Sequence, residues 1–175
     1  MPEWKSFTFG EDGEATPTPE QPAQAAPANP AMEPDEYAAK WGTEVSELTI
    51  ERIEKVLEGD GLPHGSNEFI AVTQLEDVQF QIHREPADAP WAQIETRIAV
   101  PGEGHTEISL QEKANQWNNA HLQPTVFPIE DGDGWALMAA SRFFVGEGLS
   151  DRQIHAMLRR GLIIGLSAAQ EVPAL

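Results

Sequence analysis

Between Thr49 and Glu58 the apolar residues Ile50, Ile53, Val56 and Leu57 recur at helical spacing, which places all four on one stripe of an amphipathic helix. Thr49 offers a hydroxyl to the unpaired amides of the first turn, Glu51 sits near the positive end of the helix dipole, and Gly59 and Gly61 end the run. The period then changes from about 3.6 to two, and 69–75, 78–84 and 91–100 read as strands. In the second of them Val78, Phe80 and Ile82 alternate with Gln79, Gln81 and His83, so one face is buried and the other wet. The third repeats the alternation, with Ile94 and Ile98 against Gln93, Glu95 and Arg97, and Glu76-Asp77 fits a tight hairpin turn between the first two.

Helical spacing returns from Ser109 to about His121. Ser109 and Glu112 have the separation of a capping box, and Leu110, Ala114, Trp117 and Asn118 share the inward face. Strands over 125–129 and 135–145 follow, joined through Glu130-Asp131-Gly132-Asp133-Gly134, whose glycines supply the positive φ of a hairpin. Pro128 puts the first of this pair near an edge. A last helix opens at Ser150 and turns Ile154, Met157, Leu158 and Leu162 inward until Pro173. The expected fold class is α+β, in the order α-β-β-β-α-β-β-α: an antiparallel five-stranded sheet with helices packed on one face.

Upstream of this domain, 47–175, lies different material. Residues 1–32 are rich in Pro, Ala and Glu, with prolines at 2, 17, 19, 22, 27 and 30, and read as a disordered tail. Residues 33–46 form a transitional segment; Tyr37, Trp41, Val45 and Leu48 could share one helical face, although Gly42 and Thr43 weaken that reading. Trp4, Phe7 and Phe9 are out of character in a disordered tail. Either that end touches its own domain or nothing, or the three aromatics form a short motif for a partner.

Charge removes one function class. With 29 acidic and 11 basic residues the chain carries a formal net charge of -18, which repels a phosphate backbone, so nucleic acid is not an expected partner. Cysteine is absent, so neither a disulfide nor a thiolate site is possible. Neither a signal peptide nor a membrane span is visible, and the cytoplasm is the expected location.

Candidate chemistry is sparse. His64, His83, His105, His121 and His155 fall on different elements without the i,i+4 spacing of a helical metal pair, and Asp131-Gly132-Asp133-Gly134 lacks the remaining ligands of a calcium loop. Ser141 has no nucleophile elbow around it, and paired carboxylates carry little information in so acidic a chain. Neither catalytic residues, metal nor cofactor are expected. Gly161-x-x-x-Gly165 lets another backbone approach closely, either the sheet of the same chain or a symmetry mate across a dimer seam. In Asn115-x-Trp117-Asn118, Trp117 completes the buried stripe, and an inward Asn most often satisfies a neighbouring backbone edge.

Leu48-Thr49-Ile50-Glu51-Arg52, Asn115-x-Trp117-Asn118, the strand 135–145 and Gly148-Leu149-Ser150 together resemble the YbjN family of candidate bacterial sensory transduction regulators, over about 45–169. The resemblance implies a fold like that of the type III secretion chaperones, a twisted antiparallel sheet with helices on one side. It also implies a regulatory or protein-binding role without catalytic residues, an unidentified protein partner and a homodimer. A small-ligand sensor is the alternative, and an enzyme with an unrecognised site a more remote one. One departure stands out: Gln79, Gln81, His83, Gln93, Glu95 and Arg97 make a polar face, whereas a client-holding sheet should expose an apolar track.

Overall fold

The computed structural model describes residues 7–9, 15–17, 36–84, 86, 88–102, 104–132 and 134–175. The chain divides into two units, 1–35 and 36–175. In the first, β1 (Phe7–Phe9) pairs antiparallel with β2 (Ala15–Pro17), Phe7 opposite Pro17. Phe-Thr-Phe is a β-prone triplet, and a lone two-stranded ribbon is marginal in water. Trp4 lies outside the described residues.

The second unit begins with α1 (Glu36–Trp41), shorter than the helical face drawn from Tyr37 to Leu48. Gly42, at φ 75°, ends it, and Ser46 instead bridges to Leu149. Three longer helices each begin at a hydroxyl that accepts an amide of the first turn: Thr49 for α2 (Ile50–Gly59), Thr106 for α3 (Glu107–Ala120) and Ser150 for α4 (Asp151–Glu171). The capping box of α3 is Thr106 with Ser109, not Ser109 with Glu112, so the helix starts two residues earlier than expected. The Ser109 hydroxyl accepts the Thr106 amide, a role the usual Glu or Gln would fill.

The strands of this unit are β3 (His64–Ser66), β4 (Ile70–Leu75), β5 (Val78–His83), β6 (Trp91–Ile98), β7 (Thr125–Asp131) and β8 (Gly134–Phe144). They form one antiparallel sheet in the order β3-β4-β5-β6-β8-β7. The sheet therefore has six strands, not five. The extra strand, His64-Gly65-Ser66, is exposed throughout and shows no alternation; it exists because it pairs with β4, His64 opposite Thr73, and because the Thr73 hydroxyl donates to the Pro63 carbonyl.

Two clusters of buried side chains lie between the sheet and its helices. The first joins Ile53, Leu57, Phe80, Ile82, Ile94 and Leu158; the second joins Ile98, Leu110, Trp117, Val126, Leu137 and Val172. The long helix α4 contributes to both. Its glycines set how closely it approaches the strands. A Cβ on Gly161 would lie 2.4 Å from Ile94 Cδ1, and one on Gly165 would lie 2.6 Å from Phe80 Cε1. Both glycines are buried against the sheet of their own chain, so the dimer seam placed on Gly161 and Gly165 is corrected: that stripe is already occupied.

Candidate functional site

Two of the sequence segments singled out above meet in space. Arg52, on α2, donates from Nη1 to the carbonyls of Ser46 and Glu47, and from Nη2 to the Leu149 carbonyl and Asp151 Oδ1, both at 2.6 Å. Lys55 Nζ sits 2.7 Å from the other Asp151 oxygen. Burial of Asp151 alone would raise its pKa, but the hydrogen bonds and charges of Lys55 and Arg52 outweigh that and hold it below the usual carboxylate value. Gly148, at φ 80°, is required here, since a Cβ would lie 2.6 Å from the Ser46 carbonyl oxygen. Every group in this knot is paired within the chain, so its role is to clamp α2 to α4.

The Trp117 and Asn118 pair is likewise structural. Trp117 is 2% exposed and donates from Nε1 to the Pro124 carbonyl at 3.0 Å. Asn118 donates to the Val126 carbonyl at 2.8 Å and accepts the Val126 amide at 2.9 Å. It therefore satisfies the outward groups of β7, the edge strand, while Pro128 removes another donor from that edge. Ser141, whose hydroxyl is buried with no hydrogen bond among the described residues, is sealed on the helix side opposite Ile94.

Among the described residues of 36–175 no helix lies on the opposite face of the sheet, and the register defines that face's chemistry. Gln81 stands opposite Glu95 and His83 opposite Gln93 between β5 and β6; Gln93 stands opposite Arg142 between β6 and β8. These residues are wired together. Arg142 Nε donates to Gln93 Oε1 at 2.7 Å, Gln93 Nε2 donates to Glu95 Oε2 at 2.6 Å, and His83 Nε2 lies 3.2 Å from Glu95 Oε1. The polar face expected on β5 and β6 thus sits on the open side.

The β8 and β7 half of that same face is different. Met138 stands opposite Phe127, and Ala136 opposite Ile129, giving an apolar band beside the polar ladder. At one end Trp91 stands opposite Phe144, their rings edge to face at 5.4 Å, and the two are 49% and 54% exposed. The apolar track that β5 and β6 lack is therefore present on the neighbouring strands. Trp91 shares the parity of Gln93, Glu95 and Arg97, so a large aromatic on a polar face was a legible signal that pointed here. The positions of β7 and β8 relative to β6 depend on a crossover that alternation does not encode.

Between β5 and β6 the register stops at Gln81 and Glu95, three pairs in all, while β6 and β8 stay paired through Ile98 and Leu137. At that end lies a cleft of about 570 Å³, walled by Asp77, Gln79, Gln81, Glu95 and Arg97 and floored by Met138. Arg97 is ion-paired with Asp131. Of the remaining residues named from sequence, Phe7 and Phe9 fall on β1. Among the described residues no group of three or more metal-ligating side chains gathers, and no helix is long and apolar enough to cross a membrane.

Comparison with solved structures finds similarity to a crystal structure of YbjN from E. coli, described as "a putative transcription regulator". The TM-score is 0.57 at 14% identity, with 71% of this chain and 94% of that chain covered. At that identity the likeness concerns the fold. No curated protein matches the chain. The family model "Putative bacterial sensory transduction regulator" matches residues 49–172, well over half of the sequence and all of the sheet apart from the short ribbon in 1–35, and the chain belongs to the YbjN family.

Proposed function

We propose that this chain is a non-enzymatic regulatory module that works by presenting the open face of its sheet to a partner protein. The observation that carries this reading is the pairing on one helix-free face of exposed aromatics, Trp91 and Phe144, with the apolar band of Phe127, Ile129 and Met138. Aromatic and Met side chains are enriched at protein interfaces, and the Gln93, Glu95 and Arg142 ladder lies between the two apolar groups, where it adds polar contacts. Docking through the face is favoured over strand addition at β7, because Asn118 and Pro128 already block that edge. The charge of -18 also makes a protein, rather than nucleic acid, the object of any regulatory contact.

The test is site-specific photo-crosslinking in the native cell, with the crosslinker at Trp91, at Phe127 and, as control, at Glu112 on the exposed side of α3. Discrete adducts to the same protein from Trp91 and Phe127, and none from Glu112, support the reading. Adducts of equal pattern from all three positions, or from Glu112 alone, refute it.

A further inference from the structure

We propose that the wedge between β5 and β6 is a binding site for a small organic cation, an ammonium or guanidinium group carried on a short aliphatic chain. This goes beyond the partner-binding reading and stands without it.

The wedge is built into the fold. Beyond Gln81 and Glu95 the ladder does not continue to Phe80 with Thr96 or to Gln79 with Arg97, and the Thr96 hydroxyl donates to the Gln79 carbonyl at 2.7 Å. A side-chain hydrogen bond thus joins the strands where the backbone rungs stop. The cleft of about 570 Å³ beside it falls within the range of small-ligand sites, and it combines convergent polar groups with an apolar floor at Met138.

The charges select the ligand. Glu95 accepts from Gln93 and has His83 Nε2 3.2 Å from its other oxygen, with its side chain only 15% exposed, so a carboxylate stands at the wall before any ligand arrives. Asp77 stands at the mouth, and Gln79 and Gln81 add amide oxygens that accept from N–H groups. The single cation of the lining, Arg97, is already matched by Asp131. Phosphates and carboxylates would meet the carboxylates of Asp77 and Glu95 and the field of a chain at -18, whereas a cation gains from all three. An aliphatic chain would lie along Met138.

The experiment titrates the full-length, isotope-labelled chain with agmatine and with putrescine, following amide shifts and heat, with glutamate and adenosine monophosphate as anionic controls. Saturable binding at about 1 mM or tighter is expected. Its shifts should centre on 77–81 and 95–99, and the anions should show none. Glu95→Gln should weaken binding about tenfold. Met138→Trp, which fills the floor, should abolish it, while Glu112→Gln on α3 leaves it unchanged. If Glu95→Gln perturbs the fold by its amide dispersion, Met138→Trp decides. The proposal is overturned if neither amine saturates by about 10 mM, if the anions bind as well, or if Glu112→Gln weakens binding as much as Glu95→Gln, which would mean diffuse counterion association.

Discussion

Arg52 shows what one side chain does in this molecule. Its guanidinium serves three backbone carbonyls and one carboxylate, a load matched to five fixed donors and not to the three of a lysine. Arg52→Lys should therefore destabilise the fold although it keeps the charge, and Asp151→Asn should cost roughly 2 kcal/mol, as loss of hydrogen bonds to a charged group does; denaturant titration measures both. The pH dependence follows from the depressed pKa of Asp151. A carboxylate with a folded-state pKa below its unfolded value of about 3.8 contributes fully above that value and loses its contribution as pH falls through the folded value. The stability gap between the native chain and Asp151→Asn should thus stay constant from pH 7 to about 5 and close in more acidic solution. Arg52 and Gly148 both lie in segments that drew attention in the sequence. Their meeting was not legible, because 97 residues separate Arg52 from the Leu149 carbonyl and no spacing rule spans such a distance.

Elements were legible where a local rule governs them. The α2 stripe and its Thr49 cap, the Glu76-Asp77 turn and the inward Trp117 all follow from periodicity or turn chemistry acting within a few residues. Missed features depend on a partner strand: β3 has no pattern of its own, and the break between β5 and β6 leaves both sequences alternating as before. Helix α4 illustrates an ambiguity that only packing resolves, since Gly161 and Gly165 could have faced another chain. With Ile94 and Phe80 against them, Gly161→Leu should lower the melting temperature of the isolated chain and leave its mass in sedimentation unchanged, as overpacking a core does at about 1–3 kcal/mol or more. Helix α3 works differently, through hydrogen bonds to the edge it guards. Trp117→Ala should cost about 3–5 kcal/mol by leaving a cavity. Asn118→Ala should cost about 1–2 kcal/mol by freeing both backbone groups of Val126, and heated samples should show more aggregation as the edge opens.

At the scale of the molecule, surfaces for association are removed one by one. The β7 edge is blocked, the glycine stripe is used internally, and one face of the sheet carries the helices. The open face carries Trp91, Phe127, Met138 and Phe144, and the homodimer that the family resemblance implies is expected to form there. Symmetric pairing would lay this patch against its own copy, burying aromatics on both sides. Charge opposes it. Two chains at -18 repel, and the range of that repulsion falls from about 30 Å in 0.01 M salt to about 8 Å in 0.15 M, whereas contact between apolar surfaces is not screened. Added salt should therefore tighten the dimer, the reverse of an interface built from ion pairs. Sedimentation equilibrium across a salt series measures this: the average mass should rise with salt, Phe127→Asp should return it to one chain at every salt concentration, and Gly161→Leu should lower stability without such a return. A mass of one chain at about 100 µM protein and about 0.5 M salt, where the Debye length is only a few ångströms, would exclude the open face as a dimer interface and leave it to a partner of another kind.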